Sequence, residues 1–309
     1  MELLPAGDPG TVAAKLVLDG VLEIEASNGY VSGPAAHAEI VERSAETGSD
    51  GLAELSLVGL RYGALLDLEP IGVANRLYMF NRAPLTARLR RRLPTDAAVS
   101  RALRVSRGGR TRRLLDERGW EDVEPVPRLA MWRMFRRRGR SSGRLRFKLY
   151  VSPSVDALVD GGDLVLGALA DSDAGAFKIG RELPDLVRAD KLVAYFATRR
   201  QLAAAASAVI DTLSGAEEHG VPFTAGIGAR GIASWGSDPP RAFQRSPWER
   251  PSWRQWVVDR LAVSLASARA AEPGTDPVAF ALDRLALEGV DVSTWAPDPT
   301  IWNRASDGR

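Results

Sequence analysis

Apolar residues recur at three- and four-residue intervals through most of the first 125 residues and, from about Val126, begin to alternate with polar ones. The first spacing gathers apolar side chains on one face of a helix, the second on one face of a strand. Helical segments are expected over 11–21, 35–46, 51–66, 85–92 and 95–105, the last opened by the N-cap signal Thr95-Asp96. A short extended piece is expected at 22–26. The run 72–81, with Leu77, Tyr78, Met79 and Phe80, reads as buried, and the glycines of SRGGRTRR (106–113) read as a loop.

Beyond Val126, strands are expected at 129–136 and 145–151, joined by the turn RRRGRSSGR. A helix over 155–170, a short extended piece at 176–179 and a strand at 191–197 follow. Next come an alanine-rich helix over 201–213, a strand at 221–227 and a proline-rich loop over 237–251. Two amphipathic helices, 253–271 and 276–287, precede a tail containing Trp295 and Trp302. The helical spacing of Trp253 and Trp256 points to core packing. The expected class is α+β. A helical, basic N-terminal domain over 1–125 precedes an antiparallel-sheet domain flanked by helices over 126–309.

Composition narrows the chemistry. A chain of 309 residues with 45% hydrophobic and 26% charged residues is that of a globular protein with ample core. No apolar run approaches the roughly 18 residues a membrane span needs, and the start MELLPAGDPG lacks the features of a signal peptide. A cytoplasmic protein without membrane contact is expected. The absence of cysteine removes thiolate nucleophiles, disulfides and Cys-ligated metals. With His37 and His219 the only histidines, a histidine-rich metal site or a Ser-His-Asp triad is improbable, so no metal or cofactor is expected. The string Gly226-Ile227-Gly228-Ala229-Arg230-Gly231 fits a dinucleotide fingerprint letter for letter. No helix follows it, so a hairpin turn is the better reading.

The net charge of +2 conceals an asymmetry: residues 82–146 hold 20 arginines against 6 acids. An anionic partner is implied. The clusters at 88–92 and 136–138 come with few interleaved aromatics and no nucleic-acid-binding signature. A solvated basic face, or a surface for an acidic or phosphorylated peptide, is therefore favoured over nucleic acid.

Lysine stands out against this arginine background. The chain has only Lys15, Lys148, Lys178 and Lys191, and three of them fall between 146 and 195. A lysine can lose its proton where a guanidinium stays charged, which makes it a candidate base. Strand alternation places Arg146, Lys148 and Tyr150 on one face of their strand and Lys191, Val193 and Tyr195 on one face of another. If these strands pair with the piece carrying Lys178, three lysines, two tyrosines and Arg188 line one cleft. Clustered cations lower one another's pKa, so one lysine can serve as base while the others bind an anion. That set suits β-elimination of phosphate. A cross-strand polar face open to solvent is the competing reading of the same residues.

The ordered set FKLYVSP (147–153), FKIG (177–180), RADKLVAYF (188–196) and SWGSDPP (234–240) resembles the HopA-type effector family, over about 144–271. Members of that family act as lyases in class V lanthipeptide and thioamitide biosynthesis. They are distantly similar to the phosphothreonine lyases of bacterial effectors and to the lyase domains of class III lanthipeptide synthetases. The resemblance implies that Lys178 abstracts the α-proton, that Lys148 precedes the general acid by two residues, and that Tyr195 contacts substrate. It places Tyr150 where those enzymes carry a histidine acid, which is a departure. Arg188 and Lys191 fall at phosphate-binding positions, and Arg146 belongs to the same cationic face. A further phosphate-binding arginine would align near Trp235-Gly236, where none stands; Arg230 and Arg241 are the candidates for its role.

The resulting expectation is a metal- and cofactor-independent lyase. It would convert phosphoserine or phosphothreonine of a ribosomal precursor peptide to dehydroalanine or dehydrobutyrine. A separate kinase would supply the phosphorylated peptide, and the N-terminal domain would dock the peptide leader or that kinase. The alternative, from another class, is a non-catalytic module that binds a phosphopeptide or another partner.

Overall fold

The computed structural model of the chain describes residues 9–26, 29–37, 51–124, 129–139, 144–243, 251–271 and 274–302. The chain divides into two compact units, Met1–Tyr78 with Asp238–Arg309, and Met79–Ser237. The helix expected over 35–46 lies largely outside the described residues, which show a 3-10 turn at Gly33–Ala36.

The first unit is mainly helical. Its elements are α1 (Pro9–Leu18), the hairpin of β1 (Ile24–Ala26) and β2 (Gly29–Val31), α2 (Gly51–Ala64) and α3 (Pro70–Tyr78). The same unit holds two later helices and a last hairpin, Val290–Asp291 with Ala296–Pro297. The later helices, Trp253–Arg269 and Pro277–Leu287, start on side-chain caps: Ser252 accepts from the Gln255 amide, and Asp276 accepts from the amides of Val278 and Ala279. Trp253, Trp256 and Trp302 pack with Phe243 into one aromatic cluster, with Trp253 and Trp256 stacked 5.9 Å apart. The tryptophan spacing is indeed core. Arg254 is buried with them, donates to the Tyr78 carbonyl at 2.9 Å and lies 4.6 Å above the Tyr78 ring.

The second unit carries the sheet. Its helices are α4 (Ala87–Arg92), α5 (Asp96–Ala102), α6 (Arg110–Glu117), α7 (Val155–Asp171), α8 (Leu183–Leu186) and α9 (Arg199–Thr212). Its strands are β3 (Trp120–Val123), β4 (Trp132–Arg137), β5 (Phe147–Val151), β6 (Ala176–Gly180), β7 (Leu192–Phe196), β8 (Ala225–Gly226) and β9 (Ala233–Ser237). They form one sheet in the order β3-β4-β6-β7-β5-β9-β8, with every neighbouring pair antiparallel. The α+β class is the observed one: N-terminal helices, then an antiparallel sheet with flanking helices.

Several local expectations are corrected. The segments around 129–136 and 145–151 are strands, but β4 and β5 do not form a hairpin; β6 and β7 lie between them. Both are central strands whose partners come from other segments, β3 and β6 for β4 and β7 and β9 for β5. The loop at 106–113 is a loop only to Gly109, because α6 begins at Arg110. The strand at 221–227 is reduced to Ala225–Gly226, and β9 forms over Ala233–Ser237, where no strand is expected from the sequence. The glycine fingerprint is the β8–β9 turn, with Gly226 opposite Ser234 and Gly228 at φ 75°. The β3–β4 pairing spans residue 125, and the two compact units meet in sequence at 78/79 and 237/238.

Period-two alternation gives this sheet two unlike faces. Phe135, Leu149, Val151, Phe177, Ile179, Leu192, Ala194 and Phe196 point one way and are buried. Helices α7 and α9 cover that face, with α6 packed on α7 and β3. Phe177 is the pivot, 4.9 Å from both the Phe135 and Trp120 ring centroids. Ser154 caps α7, and Thr198 with Gln201 forms a capping box on α9.

Candidate active site

The opposite face carries the candidate chemistry. Register pairs Lys178 with Val193 and Met134, and Val193 with Tyr150, so one cross-strand row reads Met134, Lys178, Val193, Tyr150, Ser234. The next row pairs Lys148 with Tyr195. Four expected site residues, Lys178, Tyr150, Lys148 and Tyr195, are thus brought to one face. Lys178 and Tyr150 stand two strands apart, about 10 Å between backbones, with the apolar Val193 between them.

Each side chain has a defined setting. Lys178 is half-buried, and its Nζ lies 3.8 Å from the centroid of the Trp132 ring. The Arg188 guanidinium lies 5.2 Å from the same ring and is held in a fork by Asp190, at 2.9 and 3.1 Å. Trp132 therefore carries two cations on one indole, the ring best suited to that role. Lys148 is buried, with its Nζ 5.7 Å from the Tyr195 ring. Tyr150 is buried in a small apolar cluster with Ala189, Val193 and Val221, against which Tyr195 packs. An amine, a phenol, a second ammonium and a guanidinium thus share one face. They can remove a proton, stabilise a developing anion and hold a phosphate.

No protein-family profile matches the chain, and no curated protein sequence matches it. Solved structures do. An effector protein from Pseudomonas syringae pv. tomato strain DC3000 is similar over 80% of this chain and 98% of its own, at 11% identity and a TM-score of 0.50. The fold resembles that of a Pseudomonas effector. A second effector, from Pseudomonas syringae pv. syringae strain 61, is similar over 79% of this chain and 98% of its own, at 10% identity and a TM-score of 0.47. The type III effector and phosphothreonine lyase OspF from Shigella flexneri is similar over 51% of this chain and 81% of its own, at 13% identity and a TM-score of 0.34. At 11% identity the likeness to the Pseudomonas syringae pv. tomato effector is one of fold alone.

The remaining expected residues are placed differently from one another. Lys191 is fully buried, and its Nζ meets Ser152 Oγ at 3.0 Å, the Pro153 carbonyl at 3.0 Å and His219 Nδ1 at 2.6 Å. Burial pulls its pKa down to about 7, with the charge of Asp190 opposing. His219 is lowered to about 4, by burial first and by the neighbouring Lys191 second. The mutual lowering expected of clustered cations thus appears at His219, while at Lys191 the cause is desolvation. Arg230 donates to the carbonyls of Ser214 and Ala216 and pairs with Glu218 at 3.7 Å, so it anchors the 214–218 segment. Arg146 precedes β5 with its guanidinium 5.8 Å from the Phe147 ring.

Sequence reasoning missed Trp132 and the Lys191–His219 contact. Trp132 alternates with Met134 and Arg136, which was a usable signal, but its importance depends on β4 lying beside β6. His219 sits 28 positions from Lys191, and nothing in spacing joins them. Among the described residues no helix is long and apolar enough to cross a membrane, and no cluster of three metal-type ligands occurs.

Proposed function

We propose that the lysine-bearing face eliminates phosphate from phosphoserine or phosphothreonine in a peptide, leaving dehydroalanine or dehydrobutyrine. The observation that carries this reading is the convergence of Lys178, Tyr150, Lys148 and Tyr195 on one sheet face, with Arg188 joined to Lys178 across the Trp132 ring. Lys178, after giving up its own proton, takes the α-proton, the electron pair forms the Cα–Cβ double bond, and the Cβ–O bond breaks. Phosphate leaves with a proton from the Tyr150 phenol, while the Lys148 ammonium faces the enolate oxygen. Arg188 is the best-placed phosphate cation, with Tyr195 beside the substrate. Lys191 and Arg230 hold the frame. The motif resemblance extends the reading to a ribosomal precursor peptide phosphorylated by a separate kinase, in lanthipeptide-type biosynthesis.

The test is mass spectrometry of a synthetic phosphoserine or phosphothreonine peptide incubated with the protein. Native chain should remove the mass of phosphoric acid, and Lys178→Met should slow that loss by about 10³-fold. Tight phosphopeptide binding with no mass change would instead identify a binding module.

A further inference from the structure

The helix-covered side of the second unit contains a cavity of about 690 Å³ that the lysine face does not use. Five arginines line it, Arg101, Arg107, Arg112, Arg113 and Arg133, against two aspartates, Asp96 and Asp116. Its volume lies within the range of small-ligand and short-peptide clefts.

The lining is of two kinds. Arg133 and Arg112 are committed to carboxylates: Arg133 bonds Asp96 and Asp122 at 3.1 Å each, and Arg112 bonds Asp122 at 3.1 Å and Asp116 at 3.2 Å. Arg181 also holds Asp96, at 2.8 Å. Arg101, Arg107 and Arg113 are exposed, and none has a carboxylate partner among the described residues; Arg113 donates to the Gly108 carbonyl at 2.6 Å. The loop bearing Arg107 has a built shape. Gly108 adopts φ 78°, and a Cβ on Gly109 would stand 2.3 Å from the Arg104 carbonyl oxygen, which only glycine avoids. Paired charges thus form the frame of the cavity, and unpaired guanidinium forks are presented at its rim.

We infer that this arginine-lined cavity binds an acidic segment of the peptide substrate, remote from the residue that reacts. The inference rests on the peptide-lyase reading for the nature of the substrate. Guanidinium forks match discrete carboxylates in pairs. The fixed Asp96 and Asp116 oppose a continuous polyanion, and no aromatic side chain in the lining offers a stacking surface for bases. Those features favour a peptide with spaced carboxylates over nucleic acid. Strand β4 joins the two sites, since Arg133 lines the cavity while its neighbour Trp132 lies beneath Lys178.

The test is fluorescence anisotropy on the full chain with three labelled probes: a peptide of alternating glutamate and alanine, its glutamine counterpart and a short single-stranded DNA. The glutamate peptide should bind, the glutamine peptide should not, and Arg101→Ala with Arg107→Ala should weaken binding at least about tenfold. Lys178→Met should leave that binding unchanged while abolishing elimination, so failure of the lyase reading and failure of this site are distinguishable. Charge reversal, Arg101→Glu with Arg107→Glu, should abolish glutamate-peptide binding at an unchanged melting temperature. Equal affinity in native and double-alanine proteins overturns the inference, as does preferential DNA binding lost in the same variant.

Discussion

Two neighbouring residues of β4, Arg133 and Trp132, show two ways of holding a cation on the two faces of the seven-stranded sheet. Arg133 points to the helix-covered face and is locked by Asp96, Asp122 and Ser100. Trp132 points to the other face and lies beneath Lys178; Arg188, over the same ring, is also held by Asp190. A carboxylate fixes a cation by cancelling its charge. An aromatic face attracts an ammonium through its quadrupole and leaves the net charge in place. The first arrangement therefore suits architecture and the second suits chemistry on an anion. The arginine clusters fit this division. Arg92 bridges Asp156 and Asp160, and Arg137 donates to the carbonyls of Ala170 and Ser172, so much of the basic stretch serves the helices rather than a partner.

Neighbouring residues of β6 give the sharpest way to break the comparison. Lys178→Met should cut phosphate elimination by about 10³-fold, near 4 kcal/mol of barrier, yet move stability by less than about 1 kcal/mol because the side chain is half-buried. Phe177→Ala should do the reverse in kind. It removes a fully buried ring packed on Phe135 and Trp120, and should destabilise the fold by about 3–5 kcal/mol. Urea denaturation and the elimination assay on both variants read this out. A Lys178→Met protein that unfolds as easily as Phe177→Ala would end the division between faces.

How far the sequence reached can be stated from the same strands. Alternation in 145–151 and 191–197 placed Lys148, Tyr150 and Tyr195 on common faces, because a half-buried strand writes its orientation into its side chains. The pairing of those strands was not legible: β5 meets β7 across 40 intervening residues and β9 across 81, and no local signal encodes such contacts. Two strands escaped notice for a physical reason. β3 (WEDV) is an edge strand with one buried residue in four, and β9 (ASWGS) is short and small-residue-rich, so neither shows strong apolar alternation. Lys191 illustrates the limit. It lies just before β7, and its full burial against Ser152 and His219 depends on residues from two other segments.

That buried lysine predicts a pH dependence of smaller size. The folded chain releases the Lys191 proton near pH 7, and an unfolded lysine does so near 10.5. Between those values the unfolded chain binds more protons, so this group makes stability rise with pH across the window and contributes no slope below it. From pH 7 to 9 the rise should be roughly 2 kcal/mol. His219, lowered from 6.5 to about 4, has the same sign in its own window: stability falls as pH drops from 6.5 toward 4. Urea midpoints measured at pH 7 and 9 should show the increase in native protein and its absence in Lys191→Met. An unchanged slope in that variant would mean another group titrates.

The smallest effect isolates the aromatic ring itself. Trp132 is buried, so replacing it tests packing and charge together unless two variants are compared. Trp132→Leu keeps an apolar side chain and loses the quadrupole, while Trp132→Phe keeps a weaker one. A cation–π contact of about 1–2 kcal/mol between the permanently charged Arg188 guanidinium and indole predicts roughly a tenfold fall in kcat/KM for leucine. For phenylalanine the fall should be about threefold or less. Because Arg188 shares the ring, the leucine variant should also raise KM, whereas loss of the Lys178 orientation alone would act on kcat. Equal falls in the two variants would assign Trp132 to packing, and the contrast between ring-held and carboxylate-held cations would then describe geometry without bearing on catalysis.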